Sequence, residues 1–163
     1  MPYGHHGLRK RCEAVLAGLD LPHPFSLEAL CARIAARRGR PIRLHPLPPE
    51  AAASGVCGLW VGTATVDYVF YEDRTTRLHR EHIVLHELGH ILFGHHSLEG
   101  EDPAEGGVPV VLGRTNYTTR QEREAELLAS MIRTEAGPRP GRAPRGTLER
   151  LGSALGMGSA DAG

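Results

Sequence analysis

Apolar and polar residues alternate in short blocks separated by prolines and glycines. Residues 8–18 read as a short helix ending at Gly18, and the two prolines of "DLPHPFS" break the chain behind it. In "LEALCARIAARR", Leu27, Leu30 and Ile34 recur at helical spacing, with Ser26 placed as N-cap and Gly39 just past the last turn. "PIRLH", residues 41–45, alternates; Pro41 has no N–H to give a ladder, which predicts an edge strand. "PLPPEAAAS" reads as loop. "CGLWVG" and "TVDYVFYE" read as two strands of a hairpin turning near Gly62, Thr63 and Ala64.

The second half is simpler. A helix covers roughly 77–93, a loop rich in Gly, Pro and acids covers 97–118, and a second long helix runs from about 119 to 135. "GPRPGRAPRG" has the composition of a linker, "TLERLGSALG" is one weakly amphipathic helix, and "MGSADAG" should fray. The pattern predicts an α+β domain over 1–136, with a short three-stranded sheet packed on the 77–93 helix and further helices. A Pro/Gly/Arg-rich tail follows over 137–163.

Composition narrows the function classes. The formal net charge is zero, so no global field draws the chain to nucleic acid or to a membrane surface, and neither is expected as a partner. Lys10 is the only lysine, and the arginines are scattered rather than clustered. No apolar run approaches the ~20 residues of a membrane span, and the first residues hold no signal-like apolar stretch. Cys12, Cys31 and Cys57 are odd in number and form no C-x-x-C pair, which predicts small core residues in a reducing, cytoplasmic setting.

Chemistry concentrates in "VLHELGHILFGHH". His86-Glu87-Leu88-Gly89-His90 is H-E-x-x-H. On a helix, residues four apart lie about 40° apart in azimuth and one turn apart in height, so His86 and His90 can reach one Zn²⁺. Glu87 lies about 100° round, beside a metal-bound water and outside the ligand set. Val84, Leu85, Leu88, Ile91 and Leu92 form an apolar arc on the opposite side and bury this helix.

Zinc of this kind needs a third protein ligand. His96 fits the spacing H-E-x-x-H-x-x-G-x-x-H only if a glycine stands at 93, but residue 93 is Phe and the glycine is Gly94. The other source is "QEREAELLASMI", residues 121–132. Glu122 and Glu124 flank its apolar stripe about equally, and periodicity does not choose between them. Glu122 and Glu126 share a face one turn apart, which favours Glu122 as ligand and Glu126 as a carboxylate that orients a histidine. Glu124 and His96 remain alternatives.

"YEDRTTRLHREHIVLHELGHILFGH" followed by "EREAELLA" resembles the ImmA/IrrE family of metallopeptidases. In that family a helix and a small sheet precede an H-E-L-G-H helix, and an E-x-E-A-N-x-F-A helix follows. The resemblance covers roughly residues 26–135 and implies a small zincin-like metallopeptidase domain. It implies His86, His90 and Glu122 as zinc ligands and Glu87 as the catalytic residue. Glu126 replaces the family's Asn, Leu128 its Phe, and "Ile132-Arg133-Thr134-Glu135" the usual apolar-Met-Pro ending. His82 stands where an apolar residue is common.

The chemistry that follows is hydrolysis. Zinc brings the pKa of its bound water to about 7, and Glu87 serves as general base. An extra donor for the oxyanion would come from Tyr117, His95 or His79, and His82 would back up a ligand. "TVDYVFYE" is a candidate edge for pairing with an extended peptide, and Cys57 a candidate redox-sensitive thiol near the metal. The resemblance implies a narrow, regulatory endopeptidase whose substrate is a helix-turn-helix repressor or antitoxin. The other reading is a non-catalytic zinc-fold regulator that holds a partner transcription factor.

Overall fold

A computed structural model of the chain describes residues 4–95 and 117–137. The expected loop over 97–118, the tail over 137–163 and the candidate ligand His96 lie outside these residues, apart from Tyr117, Thr118 and Gly137. The described elements are α1 (His5–Ala17), α2 (Leu27–Arg38), β1 (Ile42–Pro46), α3 (Pro49–Ala53), β2 (Gly58–Gly62), β3 (Asp67–Tyr71), α4 (Arg77–Phe93) and α5 (Thr119–Ala136). The architecture is α+β, with a small mixed sheet.

The helix limits follow their caps. Ser26 Oγ accepts from Ala29 N–H at 3.2 Å, and Gly39 closes α2 at φ 66°. Thr76 caps α4 through His79 N–H, and Gly94 ends it at φ 67°. Thr118 and Gln121 form a reciprocal capping box at the start of α5. Two expectations need correction. The first helix starts at His5, three residues early, after Gly4 as N-cap. The stretch expected to be pure loop contains α3, because Pro49 sits at its first turn, where a missing N–H costs nothing, and alanines follow.

The strand order is β1-β3-β2, with β1 parallel and β2 antiparallel to β3. β1 is an edge strand, as Pro41 predicts. The strand expected to offer a free edge, β3, is the central one; β2 is the other edge. The β2–β3 hairpin takes the register Gly58↔Tyr71 and Trp60↔Val69. Asp67, 1 % exposed at the start of β3, ties the end of the sheet: it accepts from Trp60 Nε1 at 3.1 Å and pairs with Arg38 and Arg40, each at 3.3 Å.

The core lies between the sheet and the helices. Leu30 and Ile34 of α2, Val69 of β3, Leu85, Leu88 and Ile91 of α4, and Leu128 and Ile132 of α5 are all under 2 % exposed. Each such side chain contributes about 1.5–3 kcal/mol by leaving water. α4 packs against β2, β3 and α5, and α1 packs against α5. Gly89 makes the α4–α5 approach possible: a Cβ there would stand 3.0 Å from both the Cα and the carbonyl oxygen of Ala125. Cys12 and Cys31 are buried and all three cysteines are free thiols, but Cys57 is exposed beside β2, contrary to the core role expected for it. Among the described residues, no helix is long and apolar enough to cross a membrane.

Candidate metal centre

Close packing at Gly89 brings the carboxylates of α5 against the histidines of α4. His86 Nε2 and His90 Nε2 are 3.2 Å apart. Glu122 Oε2 is 3.1 Å from His86 Nε2, and its Oε1 is 3.4 Å from His90 Nε2. These three residues are the group among the described residues that could hold a metal ion. A tetrahedral zinc with bonds of about 2.0–2.1 Å sets its ligand atoms about 3.3 Å apart, so the spacing fits.

Donor chemistry fits as well. His86 Nδ1 lies 3.0 Å from Glu126 Oε2. With Nδ1 donating to that carboxylate, a neutral His86 ring would leave its Nε2 free to join His90 and Glu122 around a metal. Glu126 Oε1 accepts from His82 Nε2 at 2.8 Å. Burial alone would raise the Glu126 carboxyl, but the hydrogen bonds from His82 and His86 outweigh it and hold it below its ordinary value. Burial also drives the His90 imidazole down to about 3, with His86 and His95 pushing the same way, so it is a neutral ring at any physiological pH. His86 Nε2, His90 Nε2 and the Glu122 carboxylate are then three donor atoms within reach of one cation.

Glu87 lies beside this cluster, against β2 of the sheet. It is 7 % exposed, and its Oε2 is buried with no hydrogen-bond partner. Its neighbour is Gly58 on β2, where a Cβ would come within 3.0 Å of Glu87 Oε1 and 2.7 Å of Ile83 Cγ2. Burial raises the carboxyl from 4.5 to about 7; the nearby His86 draws it down and Glu122 pushes it up. A carboxyl that titrates near neutrality beside a three-ligand cluster is suited to proton transfer.

The remaining candidates separate cleanly. Tyr117 stacks on His90, ring centroids 3.7 Å apart and 12° from parallel. Burial raises its hydroxyl, and the charges of Glu87 and Glu122 raise it further, so it keeps its proton and stays a donor beside both acids. His79 is exposed and bonded to Thr75 Oγ1 at 2.7 Å in the first turn of α4, two turns before His86. His95 is buried behind His90, with Nδ1 on His90 and Nε2 on Glu124, so both of its ring nitrogens are already engaged. Glu124 is not in the ligand cluster either. It lies on the other flank of α5, 2 % exposed, and accepts from Arg11, Arg120 and His95.

Sequence reasoning missed the His95–Glu124 contact and the role of Gly58. Two signals were available for the first: a histidine directly after the helix-ending Gly94, and a glutamate flanked by Arg120 and Arg123. For Gly58 there was only its position in a strand, which often marks a close approach. Compared with known proteins, the chain matches no family model, no curated protein and no solved structure.

Proposed function

We propose that this chain is a zinc-dependent endopeptidase of narrow, regulatory specificity, acting in the cytoplasm on a helix-turn-helix repressor or antitoxin. One observation carries the catalytic part: a buried carboxylate, Glu87, with an unpartnered oxygen and a pKa near 7, beside converging His86, His90 and Glu122. A purely structural zinc site has no use for such a group, and it usually closes with four protein ligands. The substrate part rests on the resemblance to ImmA/IrrE metallopeptidases.

His86, His90 and Glu122 would hold the ion. Bound there, zinc supplies an acidified water and polarises the scissile carbonyl. Glu87 takes the proton and returns it to the leaving amine. Gly58 keeps a side chain off that carboxylate. Tyr117, its hydroxyl proton retained, is the donor available for the oxyanion. Among the described residues β2 is an edge strand, where an extended substrate segment would pair.

The test is Glu87→Gln, co-expressed with a helix-turn-helix protein encoded beside this chain. The variant should retain zinc and the fold, while cleavage, read by intact mass, should slow by about 10²–10⁴-fold. If the partner stays whole and both versions regulate equally, the chain holds its partner without cutting it.

A further inference from the structure

Behind His90 a line of hydrogen bonds leads away from the metal-facing side and ends in a salt-bridged acid. His90 Nδ1 is 2.9 Å from His95 Nδ1, and His95 Nε2 is 2.7 Å from Glu124 Oε2. The other oxygen, Glu124 Oε1, is held by Arg120 Nε at 3.2 Å and by Arg11 Nη2 of α1 at 3.3 Å. His90, His95 and Glu124 are all buried. His95 reaches this position because Gly94, at φ 67°, turns the chain back under α4; its ring then lies parallel to that of Phe93, centroids 5.3 Å apart.

We infer that Glu124 and His95 are positioning residues that dictate which nitrogen of His90 carries the proton, keeping the lone pair of His90 Nε2 aimed at His86 and Glu122. The inference rests on reading that cluster as a metal centre. Its logic is one of donors and acceptors. Arg120 and Arg11 donate to Glu124 Oε1, which leaves Oε2 to accept from His95 Nε2. A ring that gives its single N–H to Glu124 leaves His95 Nδ1 to accept. His90 Nδ1 must then donate, which leaves its Nε2 bare. Each ligand histidine is thus backed by a carboxylate of α5: His86 directly by Glu126, and His90 through His95 by Glu124.

Glu124→Gln reverses the line without changing its shape. The two arginines only donate, so they keep the amide oxygen and turn the NH₂ group toward His95 Nε2. His95 must then accept there and donate from Nδ1, which forces the His90 proton onto Nε2, pointing into the ligand cluster. A generic packing role predicts no such exchange.

The experiment reads tautomers in the chelator-treated protein by long-range ¹H–¹⁵N correlation of the histidine rings, and zinc affinity by competition with a chromophoric chelator. Wild type should show His90 protonated on Nδ1. Glu124→Gln should show it on Nε2, with zinc bound roughly ten- to a hundredfold more weakly. His95→Phe keeps the stacked ring but deletes both nitrogens. It should weaken zinc to a similar extent, and adding Glu124→Gln to it should cost nothing more. This second variant carries the test if the first does not fold. The inference is overturned if wild-type His90 is protonated on Nε2, or if the two substitutions act additively on zinc affinity. A wild type with the expected tautomer but no zinc binding would leave the relay standing and remove the metal-centre reading.

Discussion

Replacing Glu87 with glutamine preserves the shape of a buried side chain and deletes its charge. In the metal-free protein the carboxyl is raised from 4.5 to about 7, chiefly by burial. Between those values the folded chain holds a proton that the unfolded chain has released. The contribution of Glu87 to stability is therefore complete below about pH 4.5 and lost as pH rises through about 7. At 1.36 kcal/mol per pKa unit the full loss is about 3.4 kcal/mol, of which about 2.5 kcal/mol falls between pH 5 and pH 8. Glutamine does not titrate. The variant should accordingly gain about 2.5 kcal/mol on wild type between those pH values, whatever fixed cost its amide carries. Urea denaturation with chelator present, at several pH values, gives the difference directly. His90, held down at about 3, runs the other way: its contribution is lost as pH falls below 6.5. It is common to both proteins and cancels in the difference. A difference that stays flat with pH would refute the reasoning, because it would mean that Glu87 ionises as freely inside the fold as outside it.

Two further substitutions probe the scaffold. Gly89→Ala gains roughly 1 kcal/mol in helix propensity, but its Cβ meets the backbone of Ala125 at 3.0 Å, where overpacking costs about 1–3 kcal/mol. Thermal unfolding should show a net loss of stability, and zinc competition a weaker site, because α5 carries Glu122. Asp67→Ala removes the carboxylate that pairs with Arg38 and Arg40 and frees Trp60 Nε1; since both arginines are about 30 % exposed and keep backbone carbonyl partners, the loss should not exceed the low end for a broken buried pair, about 3 kcal/mol by urea denaturation.

Elements signed by local chemistry were legible in the sequence. Ser26 and Gly39 bracket α2, the H-E-x-x-H helix ends at Gly94, and the turn near Gly62–Ala64 joins two strands, all from short-range rules. Pairing of β1 with β3 was not legible, because a parallel ladder joins segments separated by α3 and β2, and nothing in either strand names its partner. At the site, Glu122 and Glu126 could be grouped because i and i+4 share a helix face. Glu124 remained ambiguous, since angle places it beside the apolar stripe but does not say what lies opposite. Opposite it lie Arg11 and His95, brought there by the docking of α1 and by one left-handed residue.

That left-handed residue has a consequence for how such centres diversify. A helix advances 100° per residue, so the point at which it stops fixes the direction in which the next side chain leaves. A glycine at 93 would start the turn 100° earlier and suit a histidine at 96 as third ligand. With the stop at Gly94, the turn delivers His95 to the rear of His90. The residue at which α4 stops thus decides where the trailing histidine goes, and here it goes behind His90. The three residues that could hold a metal then come from two helices, His86 and His90 from α4 and Glu122 from α5.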